Sequence, residues 1–343
     1  MSNRVQSIKR RAYVGCVAAV LALCAGGAFA PSAWAADLAY PARPIKFVVP
    51  FGASSTADIV ARMLGERLGV RLGQPVIVEN KSGAGGVIGV DAVAKAPADG
   101  YTFLLTTSST LVVNPYLYKK LPHNVDRDLT PVAMLGSLPG LLVAPPSLPV
   151  NSIAELISYA RKNPGKLSYA SNGIGSFAHV AMEVIKHSTG VDIVHVPYRG
   201  GSSADTDLLA GNIHIMWNSL AAASPLVASG RLKALAVSSA QRSPFSPSVP
   251  GMDESGVPEL KNYNVIYWVG VMAPAGTPPA IISTINAEVN AWIETTDAKE
   301  KLAARKILAS PATTPDDVGK LIRAETLYWA KVLKEAKVDP QSL

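Results

Sequence analysis

The feature that most limits how this chain can fold is an alternation of short apolar runs with longer amphipathic segments. Residues 45–50 are typical of a buried strand, and residues 55–72 follow with apolar side chains at helical spacing. The same order continues over residues 75–106 and returns over residues 153–237. Strands that alternate with helices favour an α/β fold with largely parallel strands. Two such blocks predict two lobes with a cleft between them.

The pattern changes between and after these blocks. Residues 121–131 are predicted to be rich in loops, and residues 141–144 to form a strand. A connection rich in proline and serine at residues 243–258 leads to an apolar strand at residues 265–272. Two amphipathic helices are then predicted, at residues 279–294 and 315–336.

The first 35 residues have the organisation of an export signal. Basic residues precede an apolar stretch at residues 13–30, and residues 33–35 (Ala-Trp-Ala) have the small-x-small pattern of a cleavage site. Cleavage is expected between Ala35 and Ala36, which predicts a periplasmic protein. The Arg-Arg pair at residues 10 and 11 also resembles a twin-arginine signal, so both export routes stay open.

Net charge and cysteine count take on a different meaning once this segment is set aside. The whole chain has 32 Lys and Arg, 25 Asp and Glu, a net charge of +7 and two cysteines. Four basic residues and both cysteines, Cys16 and Cys24, lie before Ala36, so the mature chain keeps +3 and no thiol. Disulfides and cysteine-ligated metals are thereby excluded. A charge this small and spread out predicts no nucleic-acid binding.

Small polar residues follow the strands of both blocks where a helix begins. Such turns occupy residues 50–58 (PFGASSTAD), 170–176 (ASNGIGS) and 197–203 (PYRGGSS). Helix N-termini carry unpaired N–H groups and a partial positive charge, so they bind anions without a formal cation. Turns facing each other across a cleft would therefore form a site for a carboxylate or another small anion. Ordinary capping explains the same residues, since Ser55 and Asp58 have capping-box spacing.

Several short motifs follow one another along the mature chain: YPARPI at 40–45, PF at 50–51, ENKSGAGG at 79–86, DGYT at 99–102, NPGK at 163–166, HVPYRG at 195–200, DLLAG at 207–211 and APAGTP at 273–278. In this combination the chain resembles the Bug family, the extracytoplasmic solute-binding proteins of tripartite tricarboxylate transporters. The resemblance implies a two-lobed periplasmic-binding-protein fold of the Venus-flytrap, type II-like kind, with two crossover strands and a ligand cleft.

The same resemblance implies a division of the mature chain into lobes. Residues 36–140 and 261–343 would form one lobe and residues 141–260 the other, after a signal peptide at residues 1–35. The implied function is a monomeric receptor without cofactor or metal. It would hold a small carboxylate, which could be a di- or tricarboxylate, an aromatic acid or an amino acid, and pass it to the small and large membrane subunits of a tripartite tricarboxylate transporter.

The expected ligand site combines the turns with polar residues that follow neighbouring strands. Its predicted members are Phe51, Ala53, Ser54, Ser55, Thr56, Asp58, Thr107, Ser108, Ser171, Gly173, Gly175, Ser176, His179, Tyr198, Arg199 and Asn218. Asp58 is expected to orient the first turn. Four positions near the expected site depart from the family pattern: Ser54-Ser55 replaces a Gly-Gly pair, Arg199 a lysine and Asn218 a carboxylate. The two serines imply a pocket of different size or polarity, the change to Arg199 is conservative, and the negative charge absent at Asn218 would favour a more anionic ligand.

Other functional classes fit the sequence less well. Residues 52–56 begin like the nucleophile elbow of a secreted serine hydrolase, but Thr56 stands where glycine is required. Residues 83–89 depart from the dinucleotide-binding fingerprint. A ligand sensor that signals to a membrane protein stays open as an alternative. Two further groups are interpreted as structural: the stripe of His179, Glu183 and His187, and the aromatic residues Tyr263, Tyr267 and Trp268.

Overall fold

The computed structural model describes residues 40–53, 55–173, 175–198, 201–335 and 340. The predicted signal peptide, Ser54 and Arg199 lie outside these residues, so what was expected of them stays a prediction. Within the described part of the chain, no helix has both the length and the apolar character needed to cross a membrane.

Strands and helices alternate much as the sequence pattern predicts. The strands within the described residues are β1 Ile45–Val49, β2 Val76–Asn80, β3 Thr102–Thr107, β4 Leu129–Ala144, β5 Leu167–Ser171, β6 Ile193–Pro197, β7 Ile215–Ser219, β8 Lys233–Val237, β9 Ile266–Pro274 and β10 Leu308–Ala309. The longer helices are α1 Thr56–Leu72, α2 Val87–Ala94, α3 Ile153–Lys162, α4 Phe177–Thr189, α5 Gly201–Ala210, α6 Leu220–Ala228, α7 Pro279–Ile293, α8 Thr296–Ala304 and α9 Pro315–Glu335. Shorter helical segments include the π-helix Ser109–Val113 and two short α-helices, Asn114–Leu117 and Val125–Asp128.

The strands form one mixed sheet in the order β2-β1-β3-β9-β4-β7-β5-β6, with β8 and β10 also paired to β4. The outer strands are parallel, as β1 pairs with β2 and β3 while β5 pairs with β6 and β7. The central strands β4 and β9 run antiparallel to their neighbours. The α/β fold is therefore confirmed, and the prediction of largely parallel strands is wrong at the centre, where β4 and β9 link the two parallel blocks.

The long strand β4 is shared by both halves of the sheet. Residues 129–139 pair with β9, whereas residues 140–144 pair with β7 and β8. The sequence pattern predicted only the last four residues of this strand, and it assigned part of the rest to a loop. Pro131 and Gly136 lie at register shifts in the pairing with β9, and they interrupt the apolar run that would have indicated a strand.

Two of the longer helices within the described residues have no counterpart in the sequence pattern. The helix α6 (LAAASPLVA) is apolar around most of its surface and contains Pro225, so it lacks an amphipathic period. The helix α8 (TDAKEKLAA) buries only two residues. Both begin with a capping hydroxyl, because Ser219 accepts a hydrogen bond from the Ala222 N–H and Thr295 accepts one from the Ala298 N–H. These two N-cap residues were the sequence signal from which the starts of both helices could have been predicted.

Candidate ligand-binding cleft

A cavity of about 550 Å³ lies where the parallel strands of both halves of the sheet end. Ligands of α/β proteins are usually found at this edge of the sheet, and the volume suits a small molecule. The cavity wall includes Pro50 after β1, Ser82 after β2, Thr107 in β3, Asn172 after β5 and Ser219 in β7.

The start of α1 forms part of one wall. Ser55 is the N-cap residue, and its hydroxyl accepts a hydrogen bond of 3.3 Å from the Asp58 N–H. A helix begins with N–H groups that have no partner within the helix. This cap occupies the N–H of Asp58, and the residues before it, Thr56 and Ala57, line the cavity. Their main chain is therefore placed to donate to an anion.

Behind this helix start, a buried carboxylate holds the preceding turn. The side chain of Asp58 accepts hydrogen bonds of 3.1 and 2.9 Å from Arg62 and one of 2.9 Å from the Asn80 amide. The same Asn80 amide donates to the Phe51 carbonyl at 3.0 Å. Asp58 is only 3% exposed and is not in the cavity wall, so its contacts fix the turn rather than reach the cavity.

A run of glycines before α2 brings bare main chain to the cavity. Gly83, Gly85 and Gly86 line it, with φ angles of 136°, 61° and 95° that favour glycine. A Cβ atom at Gly86 would lie 2.7 Å from the Thr110 Cγ2 atom. The close approach of the main chain to Thr110 at this turn therefore depends on glycine at position 86.

The start of α4 contributes from the other half of the sheet. Ser176 is its N-cap residue, but the hydroxyl does not cap the helix and donates instead to the Gly173 carbonyl at 2.7 Å. The first helical residues, Phe177 and Ala178, line the cavity. Because the cap hydroxyl is engaged elsewhere, this helix start retains its N–H donors for a ligand.

Two neighbouring histidines support the turn before α4. The Gly175 N–H donates to the His179 Nδ1 atom at 3.2 Å, and the Ser171 hydroxyl lies 2.6 Å from the His195 Nε2 atom. The two imidazole rings are 4.5 Å apart. Burial lowers the pKa of His179. Burial also lowers the pKa of His195, to about 4, and the neighbouring His179 adds to this shift. Both rings are therefore neutral at pH 7 and hold the turn without adding charge.

Aromatic side chains form a further part of the wall. The ring of Phe177 lies 6.1 Å from the ring of Trp217 and 4.8 Å from that of Tyr267, measured between centroids. A Cβ atom at Gly140 would overlap the Phe177 ring, so glycine at this position of β4 makes room for it. Trp217 is fully buried, and its indole N–H has no acceptor among the described residues.

None of the described residues that line the cavity has a charged side chain. Asn218 in the wall donates to the Asp205 carboxylate at 2.7 Å. Burial raises the pKa of Asp205. The wall itself thus offers hydroxyls, amides and main-chain N–H groups, which suit a small anion held by helix starts.

Residues 60–338 match TctC, described as the tripartite tricarboxylate transporter family receptor. The protein BugT of Bordetella pertussis is 42% identical over 298 residues, which cover 86% of this chain and 90% of BugT. The chain belongs to this receptor family. The earlier resemblance to the Bug family is thereby confirmed.

Solved structures of TctC-type receptors agree with the fold. The R. palustris protein Rpa4515 with adipate is 38% identical, with a TM-score of 0.79 over 88% of this chain and 100% of that one. The periplasmic binding protein BugD is 34% identical, with a TM-score of 0.76 over 88% of this chain and 100% of that one. As a TctC family member, this chain is a solute-binding receptor and not an enzyme.

Within this TctC receptor, the predicted site residues fall into distinct positions. Those that line the cavity are Phe51, Ser55, Thr56, Thr107, Gly175, Ser176 and Asn218. Asp58, Ser171, Gly173 and His179 lie behind the turns and form hydrogen bonds that hold them. Ser54 and Arg199 are outside the described residues.

Three further predicted residues of the TctC receptor do not line the cavity. Ala53 is exposed in its turn. Ser108 is buried at the end of β3, and its hydroxyl accepts from the Trp268 N–H at 3.5 Å. The Tyr198 hydroxyl donates to Asp207 of α5 at 2.6 Å, so the side chain of Tyr198 is turned toward α5.

Sequence reasoning missed a larger part of the wall. The missed residues include Ser82, Gly83, Gly85, Gly86, Ser109, Asn114, Asn172, Phe177, Trp217, Ser219 and Tyr267. The glycine run after β2 was a usable signal, since it follows a strand and precedes a helix. Tyr267 was interpreted as packing, because a strand sequence does not show which of its faces borders a cavity.

Proposed function

We propose that this receptor captures a small carboxylate in the cleft and delivers it to the small and large membrane subunits of a tripartite tricarboxylate transporter. The observation that carries the proposal is the meeting of the α1 and α4 starts at one cavity without charged side chains among its described lining residues. The adipate in the Rpa4515 structure supports a carboxylate ligand.

The proposal includes two lobes that close around the ligand. One comprises residues 36–140 and 261–343 and the other residues 141–260, with the change of β4 pairing partners at residues 139–140 in support of the boundary. The mechanism involves no chemistry, because the ligand selects the closed state by its higher affinity for it. The protein acts as a monomer in the periplasm, and N-terminal sequencing of the exported protein is expected to start at Ala36.

Thermal denaturation with a panel of organic acids tests the carboxylate proposal. Protein unfolded and refolded to remove carried-over ligand is expected to be stabilised by one of the acids. The gain is about 2.7 kcal/mol at a concentration ~100 times the dissociation constant. A panel of mono-, di- and tricarboxylates and amino acids that leaves the melting temperature unchanged would contradict the proposal.

Delivery is tested by uptake of the bound acid, radiolabelled, into cells that carry the transporter with and without this protein.

A further inference from the structure

The side chain of Asn114 is bound to the main chain of the cavity wall. Asn114 lies in this wall and is only 4% exposed. Its side-chain amide donates a hydrogen bond of 3.0 Å to the carbonyl of Gly85. Gly85 belongs to the glycine turn, residues 83–86, whose three glycines line the same cavity. A buried polar side chain is thus committed to one peptide group of this turn.

The glycine turn has the backbone of an anion-binding concavity. Ala84, Gly85 and Gly86 follow one another with φ angles of 47°, 61° and 95°. Successive N–H groups in turn conformations of this kind form concavities that bind anions. The Gly86 N–H is used within the turn, since it donates to the Gly83 carbonyl at 2.9 Å. The Gly85 N–H donates to no acceptor among the described residues, so it is available to an anion in the cavity.

The peptide group between Gly85 and Gly86 needs a contact that fixes its orientation. Both residues that flank it are glycines, so it can turn over at little conformational cost. Such a rotation exchanges the directions of the Gly85 carbonyl and the Gly86 N–H. A carbonyl oxygen carries a partial negative charge and repels an anion. The hydrogen bond from Asn114 opposes this rotation, because it holds the Gly85 carbonyl in its present direction.

The short helix Asn114–Leu117 holds Asn114 in place. The N–H of Asn114 donates to the Ser109 carbonyl, and its own carbonyl accepts from the Tyr118 N–H at 3.2 Å. The first of these bonds closes the π-helix, a form that occurs frequently at functional sites. The Tyr118 hydroxyl reaches the glycine turn as well, since a Cβ atom at Gly85 would lie 2.6 Å from its oxygen. The amide of Asn114 is therefore held beside this turn by its own main chain.

From these contacts we infer that Asn114 is a positioning residue for the ligand site. Its amide keeps the Gly85 carbonyl turned away from the bound anion, so that the glycine turn offers N–H groups to it. The inference rests on the proposed carboxylate-binding function and adds a residue that acts on the ligand through Gly85.

Isothermal titration tests the donor role, with the acid that stabilises the parent most in the thermal panel as probe. Asn114→Leu keeps the side-chain volume and removes the donor, so it is expected to weaken binding at least about ten-fold at both pH 5 and pH 8. Asn163→Leu is the matched control and should leave the affinity unchanged. The Asn163 amide also donates to a main-chain carbonyl, at 2.9 Å, but it does not line the cavity. Equal effects of the two substitutions overturn the inference.

Asn114→Asp adds a readout that a purely steric role would not produce. The ionised carboxylate cannot donate to the Gly85 carbonyl, whereas the protonated carboxyl can, and burial raises the pKa of such a group. At pH 8 this variant is expected to bind the same acid at least about ten-fold more weakly than the parent, and at pH 5 within about three-fold of it. An affinity relative to the parent that is the same at both pH values overturns the inference.

Crystal structures without ligand decide the orientation of the peptide group independently of any acid. The Gly85 carbonyl is expected to accept from Asn114 in the parent and to turn toward the cavity in the Asn114→Leu variant. An unchanged carbonyl in the variant overturns the inference and leaves the carboxylate proposal standing. Failure of every acid in the panel contradicts the carboxylate proposal, and the two structures then still decide the role of Asn114. If the leucine variant does not fold, Asn114→Asp at pH 8 replaces it in both measurements.

Discussion

At the scale of single residues, Asp58 shows how a buried carboxylate can shape a turn of the cavity wall without lining the cavity itself. Its oxygens accept from Arg62 and Asn80, and Asn80 in turn holds the Phe51 carbonyl. A carboxylate in this position accepts several hydrogen bonds at once, and charge-assisted bonds are stronger than neutral ones. The turn before α1 is therefore held from behind.

Asp58→Asn is expected to lower the free energy of unfolding by roughly 2 kcal/mol, because a neutral amide cannot replace both bonds from Arg62. The affinity for the tightest-binding acid should fall with it, since the turn is less well held. Chemical denaturation and isothermal titration measure the two effects. Asp316→Asn is the matched control, as Asp316 pairs with Lys320 on the exposed surface at 67% exposure. It should change stability by less than about 0.5 kcal/mol, and a similar loss in both variants would contradict the role given to Asp58.

The residues of the cleft differ in how far the sequence could predict them. Ser55 and Thr56 were predictable because a strand, a polar turn and a helix follow each other in the chain, and helix starts bind anions by a local mechanism. Trp217 and Tyr267 were not, because an aromatic residue within an apolar strand looks like core. Only the pairing of β4 with both β7 and β9 brings these two rings toward Phe177.

At the scale of secondary-structure elements, α9 is joined to the central strand β9 through a buried acid. The Trp268 indole N–H donates to Glu325 at 2.9 Å. Burial raises the pKa of Glu325 to about 7, although the bond from Trp268 opposes the shift. The folded protein therefore holds a proton on Glu325 at pH values where the unfolded chain has lost it. Its contribution to stability declines as the pH rises from about 4.5 to about 7.

Glu325→Gln should remove this pH dependence. The glutamine oxygen can still accept from Trp268, and the cost of a buried charge disappears, so the variant is expected to be more stable than the parent by roughly 2 kcal/mol at pH 8. At pH 4.5 and below the two proteins should differ little. Urea denaturation at both pH values gives the comparison, with the exposed Glu300→Gln as control. A gain of equal size at both pH values would contradict this account.

Helices and strands also show where pattern reading fails. The amphipathic α3 was predicted at residues 153–162, because its buried residues recur at helical spacing. Most of the strand β4 was not, since its prolines and glycines are accommodated by pairing with β9, β7 and β8, which are distant in sequence. Local pattern carries no information about such partners.

At the scale of the whole molecule, the turn before α4 contacts the opposite side of the cavity. A Cβ atom at Gly175 would overlap the Leu117 side chain and lie 3.8 Å from the Asn114 amide oxygen. Leu117 is only 1% exposed, so the two sides are closely packed here. We expect closure of the proposed lobes to depend on this approach.

Gly175→Ala is expected to keep the cleft from closing fully and to weaken ligand binding by about ten-fold or more. Small-angle X-ray scattering with and without the bound acid should show a smaller ligand-induced decrease in the radius of gyration. Gly190→Ala is the matched control: its φ of 68° resembles the 79° of Gly175, but no atom lies within 4 Å of a Cβ atom there. If both variants lose binding and compaction to the same extent, backbone strain and not the contact with Leu117 is responsible. Unchanged binding in Gly175→Ala would contradict the prediction.

The sharing of β4 between the two halves has a consequence for how the chain folds. In the strand order, β9 lies between β3 and β4, although it follows them by more than a hundred residues. A chain that crosses a membrane with its N-terminus first therefore presents β3 and most of β4 with unpaired edges until residue 274 has emerged. Unpaired strand edges promote aggregation. Export of this chain in an unfolded form would thus include an interval in which the centre of its sheet is open to aggregation.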